Sequence, residues 1–114
     1  MSFRRIEPHT RVTKAIVHGE TVYVSGQLGE GATMTDQMHD LLGKIDRFLA
    51  EAGTSKAKLL QAIVWITDMK EFAEMNAAWD AWIGGPTAPV RAACSVAQLV
   101  DPKYKVEITV IAAL

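Results

Sequence analysis

Three polar residues stand where apolar ones would be expected, and their types suggest a chemistry. In the run Val90-Arg91-Ala92-Ala93-Cys94-Ser95-Val96 a guanidinium sits among small residues. It keeps its proton even when covered, so it must find an anionic or hydrogen-bonding partner. Glu107 is the lone carboxylate in Lys105-Val106-Glu107-Ile108-Thr109-Val110-Ile111. Asn76 interrupts a helical stripe made of Phe72, Met75, Trp79, Trp82 and Ile83. Sparse polar groups in an apolar setting are what a small-ligand pocket uses to fix orientation, with the guanidinium suited to a carboxylate. The same residues also fit a second role, an Arg91–Glu107 ion pair that supports the fold, and the residues alone leave both open.

The other reactive types point elsewhere. Cys94 shares the strand parity of Val90, Ala92 and Val96, which predicts a buried small hydrophobe rather than a nucleophile. His9, His18 and His39 fall in a terminal segment, a turn and a helix face, without the paired spacing that converges ligands on a metal. Glycines 26, 29 and 31 make neither GxGxxG nor a phosphate loop, so neither metal nor cofactor is expected. Trp65, Trp79 and Trp82 read as core residues.

The elements that must position these groups follow from periodicity. Ala15-Ile16-Val17 and Thr21-Val22-Tyr23-Val24 flank His18-Gly19-Glu20 and read as a hairpin, with Phe3 to Ile6 as a short preceding strand that Pro8 stops. Met38, Leu41, Leu42, Ile45, Phe48, Leu49 and Ala52 recur at three- and four-residue spacing, predicting a helix capped by Thr33 with Asp36 and ended by Gly53. Leu59 to Ile66 is a nearly continuous apolar run, a strand covered on both faces. Asp68, with Glu71 three residues on, opens a second helix that stops at Gly84-Gly85-Pro86. Val90 to Ala97 and Lys105 to Ala113 are the closing strands. The order predicts an α+β domain with both helices on one face of a mixed sheet. No third helix is left to cover the other face, so a further subunit is expected there.

Composition bounds the rest. A chain of 114 residues with 49% hydrophobic and 22% charged residues has the content of one globular domain, residues 1–114. Twelve basic against thirteen acidic residues leave a net charge of −1, so neither nucleic acid nor an anionic membrane is an expected partner. The start of the sequence lacks a signal-peptide pattern and no run approaches about 20 apolar residues. With a single cysteine, this predicts a cytoplasmic location.

Four segments, taken in order, resemble the YjgF/RidA family of reactive intermediate deaminases, also called L-PSP endoribonuclease-like proteins. Val22-Tyr23-Val24-Ser25-Gly26-Gln27 is similar to the family's strand ending in SGQ. Asp68-Met69 with Phe72, Met75-Asn76 and Trp79 is similar to its second helix. Pro89-Val90-Arg91 resembles its P-[AV]-R strand, and Val106-Glu107-Ile108 with Ile111-Ala112-Ala113 its closing strand. The resemblance implies a chorismate-mutase-like fold, assembled as a homotrimer around a central β-barrel with three clefts between subunits. It further implies that Arg91 grips the carboxylate of a 2-imino acid and that Glu107 serves the water that hydrolyses the imine to a 2-keto acid and ammonia. Ser25, Gly26 and Asn76 would line the same cleft. The sequence departs from the family pattern where Val12 replaces a tyrosine, where Ala93 replaces a cysteine, and in a shorter loop after Gly26. Those departures define the alternative, a noncatalytic trimeric protein that binds small carboxylates or a regulatory partner. Ribonuclease activity ranks last, since paired histidines and a basic surface with interleaved aromatics are both lacking.

Overall fold

A computed structural model describes residues 3–114. Six strands form one mixed sheet in the order β1-β2-β3-β6-β4-β5. They are β1 (Phe3–Pro8), β2 (Thr13–His18), β3 (Thr21–Leu28), β4 (Leu59–Ile66), β5 (Val90–Ser95) and β6 (Val106–Ala113). All neighbours are antiparallel except β4 and β5, which the second helix joins as a parallel crossover. β1 runs through Pro8, beyond the predicted stop. It is an edge strand, where a missing N–H costs no ladder bond, and Pro8 pairs with Thr13.

Two helices, α1 (Met34–Ala52) and α2 (Phe72–Ile83), lie on one face. The ends of α1 follow the sequence. The Thr33 hydroxyl accepts from the Asp36 N–H at 3.0 Å, and Gly53 takes the left-handed conformation at φ 92° with its N–H bonded back to the last turn. Asp68 caps a short 3₁₀ turn, Met69–Glu71, by accepting from Lys70, and α2 begins only after that turn. The core lies between helices and sheet. Val22, Val24, Ala62, Val64, Ile108 and Val110 point into it against Met38, Leu41, Ile45, Phe48 and Met75.

Alternation along β6, and along β4 from Gln61 onward, leaves the residues between these on the opposite face. Tyr23, Gln61, Ile63, Thr109 and Ile111 border a shallow hollow of about 140 Å³ there, and Tyr23 is 46% exposed. In the single chain β4 is thus covered on one face, not two. The same geometry corrects the expectation for Cys94, which is exposed. Cys94 does share the parity of Val90 and Ala92, but that parity belongs to the uncovered face, since Ala92 pairs with Ile63 and Cys94 with Trp65. Arg91 and Ala93 are the residues of β5 that turn toward α2.

Candidate functional site

Alternation along β6 puts Glu107 on the uncovered face, beside a defect in the neighbouring strand. On β3, Val24 pairs with Val110 and Gln27 with Ile108, so Ser25 and Gly26 together oppose the single residue Thr109. This two-against-one bulge reverses the parity of the strand. Gln27 is turned inward, buried, and its amide donates to the Ser25 carbonyl and hydroxyl at 3.0 and 3.1 Å. The Thr109 hydroxyl donates to the Val24 carbonyl at 2.6 Å, beside the interrupted ladder. The backbone of Gly26 then lies under the Glu107 side chain. A Cβ at this position would stand 2.9 Å from the carboxyl carbon and closer still to Oε2. Glycine here makes room for the carboxylate rather than serving the backbone conformation, which is in a region open to other residues.

Across β6, Glu107 pairs with Trp65 of β4, and the chain after β5 folds back beside them. Trp65, Val96, Gln98, Leu99, Val100 and Glu107 line an open hollow of about 350 Å³. Loss of solvation pushes the Glu107 carboxyl above the ordinary carboxylate range, with no cation among the described residues to offset it. A carboxylate so placed is a stronger base than a solvated one, which is what proton abstraction from water requires.

Arg91 belongs to a separate group. Its Nη2 donates to Asn76 Oδ1 at 2.9 Å, and the guanidinium carbon lies 5.3 Å from the Trp79 ring centre and 5.9 Å from that of Phe72. Asn76 therefore interrupts the apolar stripe of α2 to face Arg91, as its odd polarity suggested. Phe72 and Trp79, read from sequence as core, also serve as the surface on which the guanidinium rests. Among the described residues no carboxylate comes within ion-pair distance of Arg91, and only one of its five N–H donors has a partner. Within one chain, then, Arg91 and Glu107 form no ion pair.

The two groups do not meet within a chain. Arg91 pairs across the ladder with Ala62, whereas Glu107 pairs with Trp65, whose other neighbour is Cys94. Two strand spacings and three residues separate their backbones by about 14 Å, and the side chains leave opposite faces of the sheet. Of the five candidate residues, the fold joins Ser25, Gly26 and Glu107 in one group and Asn76 with Arg91 in the other. A molecule as small as a 2-imino acid cannot span the two in one subunit.

Sequence reading missed the hollow wall, Trp65 with residues 96–100. The adjacent apolar pair Leu99-Val100 just after a strand was its available signal. It also missed Gln37, whose buried amide donates to the carbonyls of Gly31 and Lys103 at 3.1 and 2.9 Å and accepts from Lys105 N–H at 2.8 Å. That amide clamps the loop leaving the bulge to the segment entering β6.

Residues 3–114 match the family model described as Endoribonuclease L-PSP. The chain is 39% identical to the RutC family protein YoaB of Escherichia coli K12, with all of both chains covered. It is 37% identical to a RutC family protein of Haemophilus influenzae over 98% of each. Among solved structures, a YjgF family member from Neisseria meningitidis superposes with a TM-score of 0.96 at 36% identity, covering 99% of this chain and 95% of that one.

Proposed function

The chain belongs to the YjgF/RutC family, that of the Endoribonuclease L-PSP model, and from that premise we propose that it hydrolyses reactive 2-imino acids to 2-keto acids and ammonia in clefts between the subunits of a homotrimer. The observation that carries the reading is the seat of Glu107, a desolvated carboxylate over Gly26 at the edge of an open hollow. In the reaction Glu107 takes a proton from water as the water oxygen bonds to the imine carbon. Glu107 passes that proton to the nitrogen, giving the carbinolamine, and then carries the carbinolamine's hydroxyl proton to the same nitrogen as the C–N bond breaks, so that ammonia leaves and the carbon becomes the ketone of the product. Arg91, steadied by Asn76 and two aromatic rings, presents its remaining donors to the substrate carboxylate.

Separation of the two groups supports assembly. If both act on one substrate, Arg91 must come from one subunit and Glu107 from its neighbour. The uncovered sheet face, with Tyr23, Ile63 and Ile111 on it, supplies the surface for that contact. The hollow contains one titratable group, Glu107, which suits hydration of an imine better than RNA cleavage, where an acid and a base act together. Noncatalytic carboxylate binding is the second reading, favoured by Val12 and Ala93 in place of the family's tyrosine and cysteine.

Ammonia release from 2-iminopropanoate and 2-iminobutanoate generated in situ decides between them. The wild-type protein should accelerate it, and Glu107→Gln should slow turnover by roughly 100-fold or more. No acceleration by the wild type would leave only the binding role.

A further inference from the structure

The hollow beside Glu107 has one charged group and four apolar residues in its wall. Trp65 stands directly across the ladder from the carboxylate, and Val96, Leu99 and Val100 close the opposite side, with Gln98 as the other polar residue. Val100 is 80% exposed, an uncovered apolar side chain at the rim with no packing role inside the chain. Its volume of about 350 Å³ lies at the lower end of ordinary ligand pockets. A methyl group, with a volume like that of a water molecule at about 30 Å³, would leave most of it wet.

Stereochemistry links this space to the substrate. For water held by Glu107 to reach the imine carbon, that carbon must lie beside the carboxylate. It carries a nitrogen, a carboxylate and a side chain. The carboxylate is directed to Arg91 and the nitrogen must remain open to proton transfer. The side chain begins one bond from the reacting carbon, and four of the six residues around the space that Glu107 borders are apolar. We propose that the hollow formed by Trp65, Val96, Leu99 and Val100 is the side-chain subsite, and that it selects 2-imino acids with branched or aromatic apolar side chains over those bearing a methyl group. This assignment rests on the deaminase reading for its chemistry, but the hollow also makes a claim about binding alone.

The test has two arms. Imines generated in situ by an amino-acid oxidase from leucine and from alanine are compared for kcat/KM, and the stable products 4-methyl-2-oxopentanoate and pyruvate are compared for Kd by calorimetry. Both arms are repeated on a Leu99→Ser/Val100→Ser variant whose oligomer mass matches the wild type. The subsite predicts a preference of roughly tenfold or more for the leucine-derived imine and its keto acid, from the extra apolar carbons taken out of water. In the variant that ratio should collapse toward unity. Equal treatment of the two keto acids, or a ratio unchanged by the double substitution, overturns the subsite. Selective keto-acid binding without acceleration of either imine refutes the deaminase reading while supporting the subsite.

Discussion

Replacing Gly26 with alanine tests the link between the β-bulge and the proposed chemistry. The new methyl group would lie 2.9 Å from the Glu107 carboxyl carbon and 3.2 Å from its Cγ, with Oε2 nearer still. Unstrained carbon contacts are about 3.5 to 4.0 Å, so the carboxylate must retreat by about 1 Å. It can do so cheaply, because the atoms in the way are the far end of a flexible side chain on an open face, and the Gly26 backbone accepts an L residue. Folding should lose no more than about 1 kcal/mol. A displacement of that size between a base and its water costs on the order of 100-fold in rate, about 2.7 kcal/mol of transition-state stabilisation. The assay is kcat/KM for imine hydrolysis beside urea denaturation, with Gly26→Ala also made in a Glu107→Gln background. If glycine acts only by making room for the carboxylate, the second substitution adds almost nothing to the first. Wild-type turnover in Gly26→Ala, or a full additional loss on top of Glu107→Gln, would refute this reasoning.

Arg91→Lys should lower kcat/KM by roughly 30- to 1000-fold, because an ammonium restores charge but not the two-donor fork, while circular dichroism and oligomer mass stay those of the wild type. Gln37→Leu removes both halves of a buried clamp and strands the Lys105 N–H and two carbonyls, so urea denaturation should show a loss of about 2 to 4 kcal/mol. Burial raises the Glu107 carboxyl in the folded state, so the folded protein holds that proton more tightly than the unfolded chain. Its contribution to stability is present at acid pH and is lost as pH rises from the ordinary carboxylate value through the raised one. Glu107→Gln should therefore melt higher than wild type at neutral pH, with the gap closing on acidification. Light scattering at micromolar concentration should give a mass near three times 12.5 kDa.

Local chemistry was legible from the residues, and contacts between distant segments were not. Thr33 and Gly53 mark the ends of α1 because each cap is formed within one turn. Asn76 was conspicuous because a polar residue on an apolar stripe needs a partner, and Arg91 supplies it. Cys94 was misplaced for a definite reason. Alternation gives two faces but does not say which one the helices cover, and on β5 small residues occupy both. The role of Gly26 depends on a bulge, two residues against one, that brings it beneath a side chain 81 positions later in the sequence. The Gln37 clamp likewise joins segments that neither periodicity nor capping relates.

Subunit complementation tests the proposed shared site most directly. Arg91→Ala and Glu107→Gln chains are each nearly inactive as homo-oligomers if both residues act in every site. Unfolded together in equal amounts and refolded, they place an intact Arg91 beside a neighbour's intact Glu107 in about a quarter of the clefts of a randomly mixed trimer. Imine hydrolysis should then recover to about a quarter of the wild-type rate, and native mass spectrometry should confirm the mixed assemblies. Mixed trimers whose activity remains at the level of the separate variants would contradict a site built from two subunits.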